Sequence, residues 1–375
     1  MKIVVNTRLI HKDHLDGIGW FSYSSLKKIV KDHPEVDFYF IYNYKSDFDL
    51  FPEKNVHPVY FFPPARHAFL NIIWFEWHLK RLLNKIKPDL FLSPDGNLCL
   101  GWKGKQLAVI HDLNFHHQPK GLGFFDRHYY NFFYPKYAEA ATRIATVSNY
   151  SKKDIEDAYS VSPDRIDVVY NGINDFYAPI PQAQQLDVRD QFTQGKPYFV
   201  FIGSLTPRKN IQGLMRAYDI YRKKYPSDVQ LIIIGGGLYQ AKEIQQLKNE
   251  LEFGNQIQFI GRLSGELLNE VLSSAIALVF VPFFEGFGIP LIEAMQCGTP
   301  VIASNTSCVP EIAGEAALYV DPHNADQIAD AMNLIHQDAA LSESLIQKGF
   351  VRKNTYSWEK TAALLWESMM KAISS

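Results

Sequence analysis

The stretch AIALVFVPFFEGFGIPLIEAMQCGTPVIASNTSCVPEI, residues 275–312, decides the fold. Residues 275–281 are continuously apolar, which suits a short strand buried on both faces of a parallel sheet. Pro282 breaks the run, and a glycine-spaced turn, Glu285-Gly286-Phe287-Gly288, follows. Pro290 opens a helix, because its missing N–H costs nothing at the first helical position. Gly298 closes that helix, and Pro300-Val301-Ile302-Ala303 begins another buried strand. Strand, turn, helix and strand make one unit of an open parallel sheet. Such sheets bind ligands at the carboxyl ends of their strands.

Two carboxylates sit in this unit, Glu285 in the turn and Glu293 in the first helical turn. The glycines between them let backbone N–H groups come close to a ligand. The helix N-terminus adds partial positive charge. Carboxylates beside exposed N–H groups suit a polyhydroxyl ligand: the acids accept from hydroxyls while the backbone donates. Spacing alone equally allows Glu293 to complement the helix dipole and Glu285 to be a solvated loop residue.

Upstream, residues 198–202 start a sheet and lead into Gly203-Ser204-Leu205-Thr206-Pro207-Arg208-Lys209-Asn210. A glycine turn with Arg and Lys at a helix start is made for a diphosphate, the Arg as a fork and the Lys as a point charge. Taken alone, the pair could be solvated. Residues 229–234 form a buried strand before Gly235-Gly236-Gly237 and an amphipathic helix near 239–251. A strand over 257–260 ends in Gly261-Arg262-Leu263. Thr306 and Ser307 could face phosphates or cap a helix. Residues 325–348 read as helical, and 356–360 open a last helix.

The first half starts with a strand over residues 2–6, a polar loop, Gly17-Ile18-Gly19 and a helix over 20–33. A glycine pair entering a helix can receive a phosphate or be only an entry turn. It is no dinucleotide fingerprint, because the loop is too long and Ser22 stands where a third glycine belongs. A second strand spans 37–42. Asp47-Phe48-Asp49 in the following loop is a weak metal signal. Residues 60–87 mix Trp74, Phe75 and Trp77 with Arg66, Lys80, Arg81, Lys85 and Lys87, which fits a long half-buried helix or docking on an anionic membrane. A strand over 107–110 ends at His111-Asp112, where α/β proteins place chemistry; a core histidine with a capping aspartate is the plainer alternative. His116 and His117 lack a third ligand at a recognisable spacing. The aromatics of residues 114–137 suit a core or an acceptor site for sugar rings or lipid. Ser148 caps a helix, and residues 166–169 form another strand. Residues 176–197 have no hydrophobic periodicity and read as an interdomain linker.

With 375 residues, 47% of them hydrophobic, the chain can build two cores. A net charge of −2 argues against a nucleic-acid binder. Three cysteines, Cys99, Cys297 and Cys308, suggest neither a disulfide framework nor a metal site, and point to a reducing compartment. The first ten residues are too polar for a signal peptide, and the longest apolar run is too short to span a bilayer.

The 275–312 stretch, matching E-G-F-G-[IL]-P-x-x-E-A-M-x-x-G-x-P-V-I-A-S, resembles the donor-binding signature of the retaining, GT-B-fold glycosyltransferases of family 4 (glycosyl transferases group 1, mannosyltransferase-like). The Gly203–Asn210 segment, T-V-S-x-x-S-K from Thr146 and Y-N-G-I from Tyr170 also match. The resemblance implies an α/β, GT-B architecture: two Rossmann-like domains facing across a cleft. Residues 1–178 would bind the acceptor, 196–356 the nucleotide sugar, and 357–375 would form a helix returning to the first domain. It implies Glu285 on sugar hydroxyls, Glu293 on the ribose, and Arg208 and Lys209 on the diphosphate. Gly17, Gly19, Gly203, Gly286, Phe287, Gly288 and Ile289 would complete the donor site. Arg262 and Leu263 would lie by the nucleobase, and His111 near the donor sugar. The expected activity is metal-independent, retaining sugar transfer without a cofactor, from a donor such as GDP-mannose to a saccharide or lipid-linked acceptor in polysaccharide or lipopolysaccharide synthesis. The expected setting is cytoplasmic, with a candidate peripheral contact to the inner face of the plasma membrane. A sugar-nucleotide epimerase or hydrolase, or a non-catalytic nucleotide-sugar binder, are the alternatives.

Overall fold

Short apolar runs between turns become strands covered on both faces, as parallel sheets require. The computed structural model describes residues 1–11, 15–61, 68–118, 123–237, 241–263 and 265–375. Among them the strands form two parallel sheets, one in each of two compact units: residues 1–172 with 357–375, and residues 173–356.

The first sheet contains β1 (Lys2–Asn6), β2 (Asp37–Tyr42), β3 (Val56–Tyr60), β4 (Leu90–Ser93), β5 (Gln106–Val109), β6 (Arg143–Thr146) and β7 (Ile166–Val168), in the order β3-β2-β1-β4-β5-β6-β7. The second contains β8 (Tyr198–Ile202), β9 (Gln230–Ile234), β10 (Ile257–Gly261), β11 (Ala277–Phe280), β12 (Val301–Ser304) and β13 (Leu318–Val320), in the order β10-β9-β8-β11-β12-β13. Val4 lies between Tyr39 and Phe91 in register, and Leu278 between Val200 and Val301. In each sheet the chain reverses its direction of winding once, beside the first strand: between β1 and β4, and between β8 and β11. A crevice for ligands opens at the carboxyl ends of such strands.

Gly203 and Gly235 close the ends of β8 and β9 tightly. A Cβ on Gly235, whose φ is +147°, would fall 1.8 Å from the Gly203 carbonyl oxygen, so no other residue fits there.

Several expectations change. The stretch read as a linker holds a helix, Gln182–Thr193, which buries Val188 and Thr193 and belongs to the second unit. Its periodicity is faint because little of the helix is buried. The boundary between the units falls after Gly172 rather than after residue 178, so the Tyr177 segment belongs with the second sheet. The long helix read over residues 60–87 is shorter, running without a break over residues 68–86. Tyr60 ends β3, and Ala68–Ile73, a π-helical turn Trp74–Leu79 and Lys80–Ile86 follow. Arg66 lies outside the described residues. Asp47-Phe48-Asp49 is part of a 3₁₀ helix, Lys45–Leu50, rather than an open loop; Asp47 is buried, with His11 Nδ1 3.3 Å away. Residues 325–348 fall into two helices, Ala325–Gln337 and Ala339–Arg352, because Asp338 caps the second.

The last helix, Trp358–Ser374, packs within the first unit. Its Ser368 hydroxyl donates to Asp167 (2.7 Å), and its Thr361 hydroxyl donates to the Tyr170 carbonyl (2.7 Å).

Candidate functional site

In the second unit the chemistry gathers where β8 and β11 end side by side. After β8, Pro207–Lys209 forms one 3₁₀ turn, and Asn210 follows with a left-handed backbone (φ +59°). The Asn210 amide donates to the Val281 carbonyl (3.1 Å) and the Pro322 carbonyl (2.7 Å), which ties the basic turn to the end of β11. The Phe283 N–H donates to the Arg208 carbonyl (2.8 Å), so the basic turn and the Glu285 turn are zipped together through their backbones.

The side chains meet as well. Glu285 is only 6% exposed, and both Arg208 and Lys209 form ion pairs with its Oε1. Lys209 is equally buried, its ammonium 4.8 Å from the Phe280 ring centroid. Burial alone would raise the Glu285 carboxyl. The charges of Arg208 and Lys209 outweigh it and hold the group below its usual range. The cations expected to hold a diphosphate are therefore already engaged by the acid expected to hold sugar. This is a compact cluster of one carboxylate and two cations with a net positive charge.

Ser307 accepts the Glu285 N–H (3.1 Å), and the Thr306 hydroxyl donates to the Pro282 carbonyl (3.2 Å). These two hydroxyls thus buttress the Glu285 turn, and neither caps the helix Val309–Ala313. Gly288, at φ +87°, leads into the helix Ile289–Cys297, with Pro290 in its first two positions and Gly298 (φ +70°) beyond its end. Phe287 is buried edge-on against Tyr356 (5.5 Å).

Glu293 stands in the second turn of that helix, not the first. The helix-dipole alternative weakens accordingly, since that effect fades within one turn. Burial pushes the Glu293 carboxyl up to about 7, against the opposing hydrogen bond from Tyr177. Gly236 packs against the side chain of Arg262, which follows β10 with Leu263. The second unit thus assembles Gly203, Arg208, Lys209, Arg262, Leu263, Glu285 to Ile289 and Glu293 around the ends of β8, β10 and β11.

Gly17, Gly19 and His111 belong to the first unit. Asp16 caps the helix Gly17–Asp32, accepting the Gly19 N–H (2.9 Å), so that donor already serves the helix entry. His111 follows β5. Its Nε2 donates to the Pro94 carbonyl (2.9 Å), which leaves Nδ1 as an acceptor, and its ring meets Phe21 edge-on at 5.0 Å. Burial keeps the imidazole below its usual pKa, partly offset by the Pro94 bond and by Asp112, Asp16 and Asp95. Asp112 accepts the Asn114 N–H (3.0 Å), a capping role. His117 pairs with Asp154 (2.7 Å). Among the described residues no three metal-ligating side chains cluster.

The sequence reading missed a buried polar cluster at the ends of β1 and β4. Arg8 pairs with Asp95 (2.6 Å) and donates to Asn71 (2.6 Å). Asp95 Oδ1 also accepts from Asn6 (2.9 Å), Ser93 (3.0 Å) and Asn97 (3.0 Å), and Tyr129 donates to Asn97 (3.0 Å). The turn signal Ser93-Pro94-Asp95-Gly96 after a strand could have marked it.

The chain is 32% identical over 229 residues to O-antigen chain mannosyltransferase B of Escherichia coli, a match covering 59% of this chain and 58% of that protein. Sucrose-phosphate synthase from Thermosynechococcus elongatus superposes with a TM-score of 0.79 at 20% identity, covering 100% of this chain and 99% of that one. HepE of Anabaena, solved with UDP-glucose, gives 0.74 at 17%, covering 99% and 100%. These likenesses show the fold, GT-B, over both units. The model for Glycosyltransferase Family 4 matches residues 17–175 and that for Glycosyl transferases group 1 matches 184–352, so the chain belongs to the family 4, group 1 glycosyltransferases.

Proposed function

We propose that the protein transfers a sugar from a nucleotide-diphosphate sugar to a saccharide or lipid-linked acceptor, with retention of configuration and without a metal. The observation that carries this reading is the Arg208–Lys209–Glu285 cluster at the switch point of the second sheet. An arriving diphosphate competes with Glu285 for the two cations and frees the carboxylate to accept from sugar hydroxyls. Glu293 takes the ribose hydroxyls, and Arg262 and Leu263 lie by the base. The name of the Escherichia coli relative favours mannose as the sugar, hence GDP-mannose as donor, in O-antigen or related polysaccharide synthesis.

Among the described residues of the second unit no spare carboxylate has a claim to be the nucleophile, because Glu285 is committed to cations and sugar and Glu293 to ribose. The anomeric carbon–oxygen bond to the diphosphate breaks. The acceptor oxygen bonds to that carbon on the same face, and its proton passes to the departing diphosphate. Arg208 and Lys209 stabilise the charge that grows there. His111 and the Gly17–Gly19 turn keep the roles the family resemblance gives them. The test is incubation with GDP- and UDP-sugars, with and without saccharide acceptors, followed by NMR of the product. Transfer with the donor's anomeric configuration supports the reading. An inverted product, or a glycosyl adduct on either Glu, overturns the mechanism. Epimerised or merely hydrolysed sugar favours the alternative enzymes, and binding without turnover favours a binding protein.

Peripheral membrane contact is a second part of this reading, with its residues revised. Trp74 is buried at 1% exposure and drops out, whereas Trp77 is 63% exposed with the Arg81 guanidinium 5.8 Å from its ring. Phe125 and Phe132 are also exposed, on the helix Phe124–Ala140, with Lys136 over the Phe132 ring. Exposed aromatics beside cations suit an anionic headgroup layer, and the setting would be the cytoplasmic face. No helix among the described residues is long and apolar enough to cross a membrane. Salt-dependent sedimentation with anionic vesicles, lost in Trp77→Ala/Arg81→Ala, supports the contact; no binding by the wild type removes it.

A further inference from the structure

We infer that Ser307 is a positioning residue for sugar transfer. Its hydroxyl holds the Glu285 backbone in place, so that the carboxylate can exchange its cations for sugar hydroxyls while the turn stays still. The inference rests on the reading of Glu285 given above.

Ser307 lies between β12 and the helix Val309–Ala313, and its Oγ accepts the Glu285 N–H at 3.1 Å. That N–H is therefore spent within the protein. Ser307 itself has a left-handed backbone, φ +52°, which is costly for a residue with a Cβ and persists only where its surroundings impose it. They do so here from both sides. The Asn305 N–H donates to the Val320 carbonyl (3.0 Å), and the Val309 N–H donates to the Thr306 carbonyl (3.2 Å). Arg352 holds the far end of the helix, its Nε donating to the Ile312 carbonyl (2.9 Å). Glycine would meet this backbone without strain, so what serine adds at 307 is the hydroxyl.

The Glu285 turn needs such an anchor because its side chain has to change partners. Residues 281–283 are tied down by the Asn210 amide on the Val281 carbonyl, the Thr306 hydroxyl on the Pro282 carbonyl and the Phe283 N–H on the Arg208 carbonyl. The Ser307 bond carries that anchoring on to Glu285. The carboxylate, in contrast, is held by ion pairs with Arg208 and Lys209, which an arriving diphosphate can take over. On a loose backbone the carboxylate would follow the two cations. On a fixed one it stays where the sugar hydroxyls arrive, and an orienting contact of this kind is felt in turnover rather than in nucleotide binding.

The test follows turnover of the GDP- or UDP-sugar that the wild type consumes, read as release of GDP or UDP, beside calorimetric binding of the free nucleotide. Ser307→Ala removes the acceptor. Ser307→Gly removes it while suiting the left-handed backbone, so this arm stands even if Ser307→Ala folds poorly. Each should lower kcat roughly 3- to 10-fold, the scale of one hydrogen bond, with nucleotide binding unchanged. In a Glu285→Ala background neither change should lower kcat further, because Ser307 acts through that residue. A packing role alone would lower the melting temperature and add to the loss in both backgrounds. If Ser307→Gly keeps the wild-type kcat, or if its loss persists in full without Glu285, the inference falls and the donor-site reading stands. Weaker nucleotide binding in both variants would make Ser307 a phosphate contact instead and overturn the positioning role. If Glu285→Ala leaves kcat unchanged, the Glu285 reading fails and the inference with it, as it does if the wild type consumes no nucleotide sugar.

Discussion

The two sheets share one topology at their switch points and spend their charges in opposite ways. At the ends of β8 and β11, two cations crowd one carboxylate, leaving a net positive cluster that an anion can rearrange. At the ends of β1 and β4, Arg8 and Asp95 cancel, and Asn6, Ser93, Asn97 and Asn71 complete their hydrogen bonds. Equivalent positions in equivalent folds thus hold a net positive cluster in one unit and a charge-balanced, hydrogen-bonded network in the other. The lesson is that the end of a strand supplies only a location. Whether the charges there balance decides whether an incoming anion finds cations to pair with.

The largest effect should come from breaking the closed network. Asp95→Ala leaves Arg8 buried without its partner and should cost about 3–5 kcal/mol of stability, read by denaturant unfolding. Nucleotide binding, measured where the variant stays folded, should be unchanged if the network is structural. A variant with wild-type stability and weakened nucleotide binding would reverse the contrast.

Opening the other cluster should act on rate instead. Arg208→Ala or Lys209→Ala should each slow turnover by about 10²–10³, or about 2.7–4 kcal/mol, because charge grows on the leaving diphosphate. Glu285→Ala should lower kcat sharply without weakening the free nucleotide diphosphate, since it removes a competitor for the two cations. A double Arg208→Ala/Lys209→Ala variant with the wild-type rate would sink the diphosphate assignment.

Glu293 tests the edge of the same site. At about pH 8, where the carboxylate dominates, Glu293→Ala should weaken nucleotide binding by about 1.5–3 kcal/mol, the scale of a hydrogen bond to a charged group. The unliganded protein should show the opposite trend. A carboxyl raised to about 7 contributes stability that is present below its unfolded pKa, about 4.3, and is lost as pH rises through 7. Glu293→Gln should remove that slope in thermal melts, and an unaltered slope would place its origin elsewhere.

The smallest expected effect is that of chelation. Arg208, Lys209 and helix N-termini supply the positive charge, so exhaustive EDTA should leave most activity in place. Loss restored by Mg²⁺ or Mn²⁺ would show that the second unit's own cations are insufficient.

How far the sequence could be read differs between the halves for the same reason. The second unit's site is built from contiguous stretches, Gly203–Asn210 and residues 275–312, because loops at adjacent strand ends carry their ligands in a fixed local order. Glycines at positive φ, such as Gly203 and Gly288, make those stretches legible. In the first unit Arg8, Asn71, Asp95 and Tyr129 are far apart along the chain and unremarkable one by one. Likewise, Trp74 and Trp77 stand three residues apart in one aromatic run, yet one is core and the other surface. Residues 176–197 looked like a linker because a helix with two buried residues leaves almost no periodic trace.

The sequence by itself determined the parallel α/β architecture, the two-domain plan and the family, and it singled out the acid and the two cations that cluster in the second unit. These depend on local turn chemistry and on apolar runs, which neighbouring residues specify. Only the tertiary structure decided that Arg208 and Lys209 close onto Glu285 and that Arg8 and Asp95 neutralise each other. Ion pairs and hydrogen bonds between residues distant in the chain are set by which strand ends the sheet order brings together, and no local pattern of residues records that order.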